Sequence, residues 1–341
     1  MKGPDVLELL QYGIGVGRIG IVILAAIVSL VLSWVVFLYV RRVGGAIHPP
    51  GDNPCHAEGI RYGYGGLAVV LAGTLVSVLA MGIYSEWRPV LLFVFGLFLI
   101  GLLDDSHPLT PGWKIILQVP LVLMTALWLP RPVWVPYGLP WVLAVTAWLT
   151  VMTNAYNILD VVDGLLPSVA SLHLSAVGLL LWMQGDTHLA MVALAFAGAS
   201  LGFLPSNAWR GRQILGDSGS LPLGGLAALL ILYVDIPSRG GQGWALAALL
   251  MAIPVLEVAW VSVRRVRSGI PPWRGSPHHF VYWLSGRLGS IPGSVVALAV
   301  VQSVPFILVV VSVKEPVDLV WPLAVIALLV GKPWVQKWTR T

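Results

Sequence analysis

Eleven apolar runs, each close to the roughly 20 residues that cross a bilayer, decide what this chain of 341 residues can become. They fall at about 19–40, 65–84, 88–103, 113–130, 139–156, 164–183, 187–206, 219–236, 243–263, 291–313 and 320–335. Hydrophobic residues make up 57% of the chain and charged residues 10%, against about 25% charged in a soluble domain. No long stretch of mixed charge remains to solvate a large soluble catalytic domain, and disorder, coiled coil and collagen fail on the same arithmetic. The expectation is an all-α, polytopic integral membrane protein of about 10–11 transmembrane helices, forming a single transmembrane domain over 1–341. One cysteine, Cys55, leaves no internal disulfide to form. The first run lacks a small-residue cleavage site and is expected to stay as a span.

Lys and Arg set the orientation. The expected loops at about 41–64, 104–113, 157–164, 207–218 and 264–290 share one side with the C-terminus. They hold most of the basic residues, including Arg41, Arg42, Arg61, Arg210, Arg212, Arg264, Arg265 and Arg267. The other side has only Lys2, Arg18, Arg88, Arg131, Arg239 and Lys314. The basic side is expected to be cytoplasmic, with the N-terminus outside. The concentrated polar clusters fall on that same side.

In the run from Asn154 to Gly164 (NAYNILDVVDG), polar residues recur every third position. On a helix each step of three turns the side chain by about −60°. Asn154, Asn157 and Asp160 therefore share a face, and Asp163 leaves it unless Gly164 and Pro167 break the helix. A mid-bilayer carboxylate costs about 2.5–3.5 kcal/mol, and this loop offers no Lys or Arg. A divalent cation is the natural compensation; amide and carboxylate oxygens suit Mg²⁺ or Mn²⁺. Single residues of this kind are more often caps or packing polar groups. The adjacent acids Asp104 and Asp105, followed by Lys114, can hold a metal or supply a base; from these residues alone a solvated helix stop is the better reading. Asp217, inside LGDSGS, opens an apolar run, where helix N–H groups favour a phosphate or where the residue is simply a cap. The segment Arg264–Phe280 carries Arg274, His278 and His279, which fit a polyphosphate; its Arg-Arg-x-Arg cluster reads best as a positive-inside anchor.

Taken together, Gly65-Gly66, Asp104-Asp105 with Lys114, the Asn154–Gly164 run, GDSGS from Gly216 and the His278-His279 loop resemble the polyprenyl-phosphate N-acetylhexosamine-1-phosphate transferases, from about Gly65 to Phe280. The resemblance implies transfer of a sugar-1-phosphate from a UDP-sugar to undecaprenyl phosphate, with release of UMP and Mg²⁺ as cofactor, Mn²⁺ being a second choice. It implies Asp104, Asp105 and Asp217 as catalytic residues and Asp217 with Asn157 as metal ligands. Lys114, Asn154, Asp160, Asp163, Arg274, His278 and His279 become substrate-binding. It also implies the bacterial cytoplasmic membrane and the bilayer itself as partner, leaves room for a homodimer, and calls for no nucleic acid.

The chain departs from the family at Val161, where Gly is usual, and at Ile214, where the peptidoglycan translocases place Phe. The His loop and span count lean toward the GlcNAc-1-phosphate branch. The continuation LPLGG from Leu221 leans toward the phospho-MurNAc-pentapeptide translocases. A lipid or solute transporter and an inactive scaffold of the same fold remain as other readings. Transporters tend to place acids at the midplane and in repeated halves, and neither feature is visible here.

Overall fold

The computed structural model describes residues 16–43, 62–81, 87–129, 138–209, 213–234 and 247–314. Its helices are α1 (Val16–Arg42), α2 (Gly65–Met81), α3 (Arg88–Ser106), α4 (Pro111–Trp128), α5 (Leu139–Leu159), α6 (Leu165–Met183), α7 (Thr187–Leu204), α8 (Asp217–Leu230), α9 (Ala252–Arg267), α10 (Phe280–Leu288) and α11 (Ile291–Lys314). Helices α1, α3, α4, α5, α6 and α7 are long and apolar enough to cross a membrane; α10 and the first part of α11, bent by 115°, pass the same test as a pair. The chain is an all-α, multi-pass membrane protein. The expected run at 320–335, Arg61, Arg210 and Arg212 lie outside the described residues.

α8 is the hub. From Ser218 to Leu230 every residue is buried, and α2, α3, α5 and α6 pack around it. Lipid tails give helices no hydrophobic reason to associate, so close backbone approach must supply the contact. Glycine makes that approach possible. A Cβ on Gly66 of α2 would lie 2.2 Å from the Gly219 nitrogen, and one on Gly101 of α3 would lie 2.2 Å from the Asp217 carbonyl oxygen. At the periphery the logic reverses. α1 turns Ile23, Ile27, Val31 and Trp34 outward to lipid.

Two expectations are corrected. The expected loop at 264–290 is helical over about half its length. Arg264, Arg265 and Arg267 form the last turn of α9, and α10 occupies Phe280–Leu288. The ninth run is broken near Met251, between a helical segment at 247–250 and α9. Gln302 of α11 bridges the break, accepting from the Ile253 N–H at 3.0 Å and donating to the Leu250 carbonyl at 2.6 Å. Backbone groups freed at a buried break need such partners.

Candidate functional site

A short backbone pairing sets the start of α8. Tyr62 bridges Gln213 in parallel, the Gly65 N–H donates to the Ile214 carbonyl at 3.0 Å, and the Gly66 N–H to Leu215 at 2.9 Å. Gly216 then turns the chain at φ 72° and caps α8. A side chain there would be strained by that φ, and its Cβ would lie 2.6 Å from Asp105 Oδ2. The first free N–H groups of α8 are claimed from outside the helix. The Asp217 N–H donates to Asp105 Oδ1 at 2.8 Å and the Ser218 N–H to Oδ2 at 3.1 Å. A carboxylate at the C-terminal end of α3 is unfavourable for that helix; placed at the N-terminus of α8 it is stabilised. The anion expected at this helix start is thus the protein's own Asp105, and Asp217 is the first helical residue, with Gly216 as the cap.

Asp104, beside it in the last turn of α3, accepts the Leu109 N–H at 2.8 Å through Oδ1. Its Oδ2 lies 2.8 Å from Lys114 Nζ, and the same ammonium lies 2.6 Å from Asp217 Oδ2. Asn157, on the last turn of α5, donates to Asp217 Oδ1 at 2.6 Å and to Ser220 Oγ at 3.1 Å. Four helix ends therefore meet at one point. Asp104, Asp105 and Asp217 each offer an oxygen within 4.8 Å of the others. The donors are hard oxygens, and an ammonium already stands among them, so the place favours a cation; the set fits Mg²⁺ or Mn²⁺. Asp105 is anchored by two backbone N–H groups, so Asp217, Asn157 and Asp104 are the residues freest to turn toward one.

Asn154 does not join this point. Its Nδ2 donates to Gln118 Oε1 of α4 at 2.7 Å and to the Thr150 carbonyl at 2.8 Å, stitching α5 to α4. The helix ends at Leu159, with Asp160 as its C-cap, so the break comes ahead of Gly164, and Pro167 lies inside the first turn of α6. Burial pushes the Asp160 carboxyl up to about 8; the charges of Asp217, Asp105 and Asp163 add to the rise, and a Gly216 N–H opposes it. Asp163 is half-buried in the same turn. Gly164, left-handed at φ 81°, is fixed by Asn207, whose Oδ1 accepts its N–H at 2.6 Å.

A second arrangement lies between α9 and α10. Glu257 of α9, 2% exposed, approaches His279 Nδ1 at 2.8 Å through Oε1 and accepts the Phe280 N–H at 3.2 Å through Oε2. Arg265 clamps the preceding loop, donating to Ser276 Oγ at 2.8 Å and to the Pro272 carbonyl at 2.6 Å. Trp260, Arg264, His278, His279, Tyr282 and Trp283 line a cavity of about 500 Å³. His278 is half-exposed, with its Nδ1 buried and without a hydrogen-bond partner. Burial lowers its pKa first, and Arg264, Arg265 and His279 lower it further, which leaves the ring neutral at pH 7. The Tyr282 hydroxyl donates to the Val161 carbonyl at 3.1 Å, joining this cavity to the Asp160–Gly164 turn. Arg274 is exposed. Arg265, expected as part of a membrane anchor, is 5% exposed and does structural work in the loop.

Sequence reasoning missed Glu257, Asn207 and Trp260. Glu257 carried a usable signal, because an acid inside an apolar run is a functional candidate by default. Asn207 and Trp260 carried none.

Residues 87–235 match the sequence profile of the family described as Glycosyl transferase family 4. A phospho-N-acetylmuramoyl-pentapeptide-transferase of Synechococcus sp. (strain JA-3-3Ab) is 33% identical over 72% of this chain and 77% of that protein. One from Bacillus pumilus is 30% identical over 78% of this chain and 89% of its own length. A probable undecaprenyl-phosphate N-acetylglucosaminyl 1-phosphate transferase of Bacillus subtilis is 27% identical over 78% of this chain and 79% of that protein.

Proposed function

The chain belongs to glycosyl transferase family 4, a polyprenyl-phosphate phosphosugar transferase, and from that premise we propose that it moves a sugar-1-phosphate from UDP-GlcNAc to undecaprenyl phosphate at the cytoplasmic face of the bacterial membrane. An oxygen of the acceptor phosphate attacks the phosphorus that carries the sugar, the bond between the two donor phosphates breaks, and UMP leaves. One observation carries the reading: Asp104, Lys114, Asn157 and Asp217 meet where α3, α4, α5 and α8 reach the same end of the bundle. Such a site can join a lipid-anchored phosphate to a soluble nucleotide.

Asp217 and Asn157, with Asp104 beside them, would hold Mg²⁺, which when bound neutralises the diphosphate and the leaving phosphate. Asp105 fixes Asp217 by capping α8. Asp104 orients the acceptor phosphate or takes its proton. Asp160 and Asp163 stand at the nucleotide end. The cavity beside His278 and His279 takes the sugar and its phosphate, the faces of Trp260 and Trp283 suiting a pyranose ring.

A second reading, a phospho-MurNAc-pentapeptide donor, is favoured by the more identical relatives. The test is UMP release by the purified full-length protein with undecaprenyl phosphate, Mg²⁺ and a panel of UDP-sugars. Release with UDP-GlcNAc is expected. Release only with UDP-MurNAc-pentapeptide would move the assignment to the second reading, and release with none would overturn both.

A further inference from the structure

We propose that Lys114 is the resting counter-ion of the acidic cluster: its ammonium occupies the cation position between Asp104 and Asp217, and a divalent cation must displace it to bind. This rests on the reading that Asp217 holds a divalent cation. The carboxylate oxygens that Lys114 touches are Asp104 Oδ2 at 2.8 Å and Asp217 Oδ2 at 2.6 Å. A Mg²⁺ ion sits about 2.0–2.1 Å from its ligands and tolerates little distortion. An ammonium sharing those oxygens would then lie within a few ångströms of a double positive charge, in a half-buried place where like charges repel strongly. Asp105 is the least free of the three acids to turn toward a cation, because each of its oxygens holds a backbone N–H at the start of α8.

The geometry also gives Lys114 a way out. It lies in the first turn of α4, next to the 107–110 connection, and its side chain is 20% exposed. Its flexible four-carbon stem lets the ammonium leave while the helix stays in place. Loading the cation therefore does two things together. It places the divalent charge on Asp217, and it frees a point charge at the site's edge for a phosphate oxygen.

The experiment uses full-length protein in detergent, without donor or acceptor, and titrates Mn²⁺ while following free ion by electron paramagnetic resonance. Lys114→Met should bind Mn²⁺ at least about tenfold more tightly than wild type. Lys114→Arg, which keeps the charge, should stay within about threefold of wild type, and Asp217→Asn should lose binding. Equal or weaker binding by Lys114→Met, with Asp217→Asn still abolishing it, overturns the exchange and leaves the metal reading intact. Lys114→Arg binding as tightly as Lys114→Met overturns it too, since charge would not be the cause. Mn²⁺ binding by Asp217→Asn equal to wild type overturns the metal reading itself. A second measurement needs no Lys114 variant. Mg²⁺ should raise the rate at which an amine-acylating reagent labels Lys114, read by mass spectrometry, and should do so in wild type only, not in Asp217→Asn. An unchanged rate in wild type contradicts the displacement.

Discussion

The acidic cluster and the histidine loop stand at the same end of the bundle and are built in opposite ways. The cluster is held by backbone. Asp105 bonds two main-chain N–H groups, Asp104 a third, and Gly66 and Gly101 bring α2 and α3 against α8 with no room for a methyl group. The histidine loop lacks that close backbone approach, since a Cβ on Gly269 or Gly275 would meet nothing within 4 Å. Arg265 and Glu257 grip it from α9, and aromatic rings wall its cavity. A reacting centre loses rate with small displacements, which suits a fixed frame. A recognition pocket built from side chains can change while the helices stay. We read the first region as the place of chemistry and the second as the place of donor recognition.

The sharpest way to break that division is Asp217→Asn. Turnover should fall more than about a hundredfold, close to 3 kcal/mol in the barrier, while the melting temperature stays near that of wild type. A variant with more than a tenth of the wild-type rate would remove the cluster from the chemistry. Next in size is Gly101→Ala. The added carbon would meet the Asp217 carbonyl oxygen at 2.2 Å, so α3 must move off α8. Overpacking of this kind costs about 1–3 kcal/mol, and both melting temperature and turnover should drop. An unchanged melting temperature would show that the frame is softer than the packing implies.

A smaller effect concerns pH. Asp160 titrates at about 8 in the folded protein, against its ordinary 3.8, because burial and neighbouring carboxylates disfavour its charged form. The folded state thus keeps a proton that the unfolded chain has released. Without a divalent cation, stability should therefore fall as pH rises between those two values. Asp160→Asn should flatten the slope. Thermal melts at several pH values in chelator decide it, and identical slopes in the two proteins would show that Asp160 is not the group responsible.

Hydropathy alone made the frame legible. The runs that became α1 to α8 were readable because each is a long apolar stretch, although α2 and α8 fold as helices shorter than a span. Asp104, Asn157 and Asp217 stood out as polar groups at the ends of those runs. What they do to one another was not readable. Asp105 caps a helix that begins more than a hundred residues later, with a separation of 112, and nothing local in the sequence marks a cap supplied from another helix. Asn154 and Asn157 looked like one face of one helix. A single turn apart, they meet different neighbours, Gln118 of α4 and Asp217 of α8. Helix α10 was hidden because its nine residues are too short to register as a span.

The division between the two regions is tested most directly by Glu257→Gln. This change keeps the size of the side chain, removes one carboxylate oxygen from the His279–Phe280 grip, and leaves the cluster untouched. Steady-state kinetics with varied UDP-sugar at saturating lipid phosphate give KM and kcat separately. The account predicts a donor KM raised about tenfold with kcat within about threefold of wild type, the signature of lost binding that is shared by ground and transition states. A kcat that falls as far as kcat/KM, with KM unchanged, would place the histidine loop in the chemistry and contradict the account.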